Sequence, residues 1–164
     1  MRLLIVRHAI AVEHGTPPGV PDDERPLTPE GKKRFRAAAR GLARLTSRPD
    51  AVFTSPLPRA RETAEIAARA WGGIEATSID ALRDGDPLAL EAALGSRGEE
   101  ALVAIVGHEP HLSSLLALLL DSRRSDRLAF RKGGAALVEV PGRLADGGQL
   151  VWFLPPKVLR ELAD

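Results

Sequence analysis

Two histidines a hundred residues apart close two apolar runs: His8 follows Leu3-Leu4-Ile5-Val6-Arg7, and His108 follows Leu102-Val103-Ala104-Ile105-Val106-Gly107. A neutral imidazole carries an exposed lone pair able to attack phosphorus, and guanidinium forks neutralise phosphoryl oxygens with paired hydrogen bonds. One arginine, Arg7, stands directly before His8. A second, Arg59, lies in Ser55-Pro56-Leu57-Pro58-Arg59-Ala60, just after the short apolar run Ala51-Val52-Phe53. The chemistry these types suit is phosphoryl transfer to His8, with Arg7, Arg59 and His108 on the phosphoryl oxygens. Like-charge repulsion from Arg7 and Arg59 is expected to hold the His8 imidazole neutral.

Such a site needs strands that bring distant residues together. Unbroken aliphatic runs at 2–7 and 101–107 read as strands of a parallel sheet covered on both faces, and ligands bind where such strands end. A third strand is expected near 51–54, a weak one near 74–78, and two final strands at 133–140 and 150–153 around a Gly-rich turn at 142–148. Segment 9–27, with Pro17, Pro18, Gly19 and Pro21, reads as a long functional loop. Thr28-Pro29-Glu30 starts a helix, with Thr28 as N-cap, Pro29 at the first position and Glu30 at the positive end of the dipole. Ser55 is expected to cap a second helix with Pro56 at its first position, Glu65 and Arg69 pairing one turn apart on its solvent side. Asp84-Gly85-Asp86-Pro87 is a turn opening a short helix to about Leu94. Pro110 opens an apolar, deeply buried helix, and Pro155-Pro156 leads into a closing one.

At 164 residues the chain has the length of one domain, 1–164. With 23 basic and 22 acidic residues it has no global pull toward nucleic acid or membrane, and aromatics interleaved with basic residues are lacking. Absence of cysteine excludes disulfides and thiol catalysis. No apolar run approaches a membrane span, and a cytoplasmic enzyme is the expectation. No His/Asp/Glu spacing suggests a metal site, so neither metal nor other cofactor is expected. His14 reads as a loop residue and His111 as a surface residue of a first helical turn. The basic stretch Arg123, Arg124, Arg127, Arg131 and Lys132 reads as a solvated loop or, more sharply, as a dock for an acidic or phosphorylated protein.

The ordered set Arg7-His8-Ala9, Arg25-Pro26-Leu27-Thr28 with Gly31, Ser55-Pro56 with Arg59-Ala60 and Glu62-Thr63, Gly107-His108 with Pro110, and Leu154-Pro155 resembles the histidine phosphatase superfamily, also called phosphoglycerate-mutase-like. Within it the chain is similar to the small bacterial phosphohistidine phosphatases of the SixA type. The resemblance implies a three-layer α/β/α sandwich with a mostly parallel central sheet, and a metal-independent phosphatase with His8 as nucleophile. Arg7, Arg59 and His108 would complete its phosphate pocket; Arg25 and Asp86 are further residues expected to contact substrate. It further implies a phosphohistidine-bearing protein partner, such as a phosphotransfer domain or carrier in signalling.

Two departures bear on substrate. Ala9-Ile10 stand where the broad superfamily has glycine and an acidic or amide residue, and no carboxylic acid matches the proton donor of the larger mutases and acid phosphatases. An alkoxide leaving group needs such a donor, whereas an imidazole departs as a neutral ring whose conjugate acid has a pKa of about 6.5. Phosphohistidine is thus the favoured substrate. The alternatives are a small-molecule phosphomonoesterase, in which Asp84 or Asp86 supplies the acid, and a non-catalytic phosphoprotein-binding module.

Overall fold

A computed structural model describes residues 1–164. Six strands form one sheet: β1 (Arg2–Arg7), β2 (Ala51–Thr54), β3 (Ala76–Ser78), β4 (Leu102–Gly107), β5 (Ala135–Glu139) and β6 (Gln149–Leu154), in the order β3-β2-β4-β1-β5-β6. The first four are mutually parallel; β5 pairs antiparallel with β1, and β6 antiparallel with β5. Helices α1 (Pro29–Leu45), α2 (Pro58–Ala70), α3 (Ala81–Asp84), α4 (Pro87–Leu94), α5 (His111–Leu119) and α6 (Pro156–Glu161) cover its faces.

Strand alternation explains the layers. Leu4 and Val6 of β1, with Ala104 and Val106 of β4, pack toward α1, α2 and α6; Leu3 and Ile5, with Val103 and Ile105, pack toward α3, α4 and α5. All of these side chains are buried, each Leu, Ile or Val stabilising the fold by roughly 1.5–3 kcal/mol relative to exposure. Continuous apolar runs rather than alternating ones follow directly, since both faces are covered.

The expected three-layer α/β/α architecture is present, with local corrections. Helix α2 begins at Pro58, not Pro56, and Leu57 rather than Ser55 occupies its N-cap. The Ser55 hydroxyl instead accepts from the Leu57 amide at 3.3 Å, forming a tight turn that delays the helix by two residues. Glu65 and Arg69 make no ion pair. α3, a single helical turn, lies before the expected Asp84–Pro87 turn and ends at Gly85 with φ of 75°. The Thr28 cap is as expected, its hydroxyl accepting from Gly31 N at 2.9 Å. Gly31 itself is required because the Ile10 carbonyl lies where a Cβ would project. This close approach fastens the start of the long loop 9–27 to α1, helped by Thr28 N donating to Ile10 O at 3.0 Å. No helix is long and apolar enough to cross a membrane.

Candidate active site

β1 and β4 run side by side with Arg7 level with Gly107, so both histidines leave the sheet at the same height. His8 N donates to Gly107 O at 3.0 Å, and the two imidazole centroids lie 5.2 Å apart. From the next parallel strand, β2, Ser55 N donates to Val106 O at 3.0 Å, which starts the Ser55–Arg59 segment beside His108. His8, His108 and Arg59 are only 5%, 6% and 6% exposed. Four of the six residues expected at the site, Arg7, His8, Arg59 and His108, thus meet at one sheet edge, where the charges of both arginines act on both imidazoles.

The His8 ring is fixed from behind. Its Nδ1 lies 2.7 Å from the Ala9 carbonyl, which can only accept, so Nδ1 carries the proton and Nε2 holds the lone pair. Nε2 makes no hydrogen bond within the protein. Ala9 N donates to the Thr63 hydroxyl at 3.0 Å, and that hydroxyl donates to Arg59 O at 2.6 Å, joining the strand end that carries His8 to the first turn of α2. His108 Nε2 is 2.7 Å from Ser55 Oγ. Ser55 and Thr63 thus tie His108 and the strand end at His8 to their neighbours. Their signal was present in the motif set, but their roles needed the packing of β2 and α2 against β1 and β4.

Burial is the first cause that pushes the His8 pKa down to about 3; the Ala9 bond opposes it, and the charges of His108, Arg59 and Arg7 add to it. His108 is pushed down to about 4, again by burial first and then by Arg59 and His111. The repulsion expected from Arg7 and Arg59 is present, but burial is the larger cause. His111, at the first position of α5, reaches further toward the site than its expected surface role, packing its ring against Gly85 and acting on His108.

These depressed values predict acid sensitivity. In the unfolded chain both histidines protonate as pH falls through about 6.5; in the folded protein they stay neutral until about 4 and 3. The unfolded state therefore binds more protons throughout that window, and stability falls as pH falls, by up to about 1.4 kcal/mol per pH unit for each histidine. Above the window both states are neutral and neither group contributes. Urea unfolding from pH 7 to 4.5 should show a steeper loss for the parent than for the His8→Gln, His108→Gln double variant. Equal slopes would refute the assignment.

The arginines are held by main chain. Arg7 Nη1 donates to Phe130 O at 2.6 Å. Arg59 Nη1 donates to Asp22 O at 2.9 Å, and its Nη2 lies 3.5 Å from the Asp22 carboxylate. Arg25 donates to that carboxylate at 2.8 Å and to Val12 O at 2.7 Å, so it sits behind Asp22 and bears on Arg59 through it. Burial tends to raise the Asp22 pKa, but the Arg25 hydrogen bond and the charges of Arg25 and Arg59 outweigh it and lower the value. Asp22 and its short 3-10 turn, Asp22–Glu24, were not singled out in the sequence. Their role depends on where the loop returns.

Asp86 is not brought to the quartet. Its carboxylate caps α4, accepting from Leu88 N and Ala89 N at 2.9 and 3.2 Å, and it borders a separate, largely apolar cavity of about 270 Å³ with Leu82, Leu90 and His111. Asp84 forms a two-point pair with Arg83 in solvent, at 2.8 and 3.2 Å. The unexpected carboxylate is Glu109, next to His108, whose Oε1 is buried without a donor and whose charge is felt by Arg7. In the basic stretch, Arg124 is taken up by Asp126 at 2.7 Å. No group of three His, Cys, Asp or Glu side chains is arranged to hold a metal ion.

Arg7 and the two histidines at the ends of adjacent parallel strands, with Arg59 in the first turn of α2, form a largely buried cationic edge of an α/β sheet. The family model of the histidine phosphatase superfamily (branch 1) matches residues 3–92, and the chain belongs to that superfamily. Membership implies a phosphatase hydrolase. Along its length the chain matches structures of the SixA type. The protein histidine phosphatase SixA complexed with tungstate superposes with a TM-score of 0.81 at 26% identity, covering 97% of this chain and 99% of that one. A protein of Agrobacterium tumefaciens assigned to the same SixA phosphohistidine phosphatases gives 0.76 at 26% identity, covering 94% and 97%. An uncharacterised protein of Picosynechococcus sp. is 32% identical over 137 residues, 82% of each chain.

Proposed function

We propose that this chain is a cytoplasmic, metal-independent phosphohistidine phosphatase acting on a phosphorylated histidine of a signalling or carrier protein. The observation that carries the reading is the set of buried side-chain polar atoms lacking partners: Arg7 Nε, Arg59 Nε and His108 Nδ1, three nitrogens of the quartet, with Glu109 Oε1 the fourth. A buried donor left unsatisfied costs about 1–3 kcal/mol, so three at one sheet edge mark a place made for an anion rather than for packing. The SixA relative binds tungstate, a tetrahedral oxyanion shaped like phosphate.

In this reading His8 Nε2 attacks the phosphorus of the substrate phosphohistidine. A P–N bond forms on His8 as the substrate P–N bond breaks, and the departing imidazole, protonated on its distal nitrogen, leaves neutral with the bonding pair. Water then attacks the phosphorus on His8 and releases inorganic phosphate, which restores the neutral ring. Arg7, Arg59 and His108 donate to the equatorial oxygens in both steps, where transition-state charge makes such donors most effective.

Arg59→Ala is expected to lower kcat by about a hundredfold, equivalent to losing about 3 kcal/mol of transition-state stabilisation, without abolishing turnover. Single-turnover assays on a phosphohistidine protein check this; a change below threefold would remove Arg59 from the site. Turnover should also be undiminished by a chelator, and strict dependence on a divalent ion would overturn the mechanism.

A further inference from the structure

Beside His8, on the flank away from His108, lies a cavity of about 370 Å³ between α1, the Arg131–Gly133 loop and α6. Antiparallel pairing places it at the catalytic edge of the sheet: the first residue of β5, Ala135, pairs with Val6 on one side and with Leu154, the end of β6, on the other. Its floor is apolar, including Ala9, Phe35 and Pro156, and Ala9 is the residue whose carbonyl fixes His8. Its rim carries Arg34, Arg131, Lys132, Lys157 and Arg160, and none of its lining residues is acidic. Only Arg34 has a carboxylate partner, Glu30 at 2.7 Å. In a chain of 23 basic and 22 acidic residues, such segregation is a local feature and not a reflection of composition.

The other flank has the opposite character. Asp80 and Asp84 surround Arg83 at the end of β3, and Asp23 acts electrostatically on both Arg83 and Arg59. The mouth of the site is therefore polarised: cations without a carboxylate partner lie toward β6, and carboxylates paired with arginines lie toward β3. A charge pattern of this kind orients a partner and raises its encounter rate more than it adds affinity.

We propose that the cationic cavity receives an acidic segment of the substrate protein flanking its phosphohistidine; this rests on the phosphohistidine reading above. Two strand spacings of about 4.8 Å separate β1 from β6, which sets the acidic residues about 10 Å from the phosphorus. An extended segment covers that distance in about three residues. The sequence-level alternative for the basic stretch narrows accordingly: Arg131 and Lys132 belong to the dock, whereas Arg124 is neutralised by Asp126.

The test compares two phosphohistidine peptides, one with glutamates and one with glutamines three and four residues to either side. For the parent, KM should be at least tenfold lower for the glutamate peptide at low salt, with similar kcat, and the preference should vanish by about 0.5 M salt. The Arg131→Glu, Lys157→Glu double variant should lose the preference, while an Arg44→Glu, Arg48→Glu variant, carrying the same charge change at the opposite edge of the sheet, should keep it. Equal KM values in the parent, or a preference surviving in the first variant, would overturn the proposal. Fluorescence anisotropy with the unphosphorylated glutamate peptide reads the dock without turnover. Binding that is weakened tenfold by the first variant alone supports the dock even if neither peptide is hydrolysed, a result that would strike only the phosphohistidine reading. No binding by the parent would overturn the dock itself.

Discussion

His8→Ala should abolish phosphatase turnover, with a loss of about 10⁴-fold or more, together with all covalent labelling of the chain by a phosphorylated substrate. The size follows from the proposed role: removing a nucleophile removes the pathway instead of weakening a contact. Substitution also leaves the Ala9 carbonyl without the Nδ1 donor, at about 1–3 kcal/mol. His8→Asn, which keeps a donor near that carbonyl, is the matched variant if the alanine protein is unstable. Rapid quench with radiolabelled phosphohistidine protein should trap, in the parent only, a protein-bound phosphate that is acid-labile and alkali-stable. Retained label in both variants would move the nucleophile elsewhere, with His108 the first candidate.

The leaving group provides the second large effect. Hydrolysis of phosphohistidine should exceed that of an aliphatic phosphate ester by several orders of magnitude, with an activated aryl ester between them, because only the alkoxide needs a proton as it departs. The structure places Asp84 in an exposed two-point pair with Arg83, which holds its carboxyl below the ordinary range and so ionised, and commits Asp86 to capping α4. Neither is built as a proton donor. Asp84→Asn and Asp86→Asn should leave phosphohistidine turnover within about tenfold of the parent. Glu109→Gln belongs beside them, since Glu109 is the carboxylate whose oxygen is buried next to His108. Fast ester cleavage that collapses in any of the three would favour the phosphomonoesterase reading and end the phosphohistidine one.

Strands β1 and β4 were legible because both faces of each are covered, so sequence shows their burial as unbroken aliphatic runs, and a histidine closing such a run must stand at the sheet edge. Helix α1 was legible from Thr28 and Pro29, whose cap is a local interaction. The start of α2 was not. Ser-Pro-x-Pro contains two proline-initiated starts, and the Ser55 hydroxyl was free to cap; tertiary packing gave it to the turn and to His108 instead. Asp22 and Glu109 escaped for a related reason: each is one carboxylate among many until the loop 9–27 folds back over Arg59 and β4 settles beside β1. Asp86 sits in a chain region that the family resemblance favours, yet its spacing to Pro87 equally describes an N-cap, and that local role prevailed. The weight of burial in depressing the His8 pKa also lay beyond sequence, since proximity of arginines can be read from motifs but desolvation cannot.

Register between β1 and β4 carries a geometric consequence. Because His8 and His108 directly follow Arg7 and Gly107, the last paired residues of β1 and β4, the spacing of their backbones is inherited from the strand spacing of the sheet, about 4.8 Å beside the 5.2 Å separating the rings. Side-chain substitutions in the core can tilt the strands but cannot rescale that spacing. The spacing of the two histidines is thus tied to β structure, whereas segment 9–27, the α3–α4 turn and the Arg131–Gly133 loop can change without altering it. A change in those segments can alter what meets the mouth of the site while the distance between its two imidazoles stays the same.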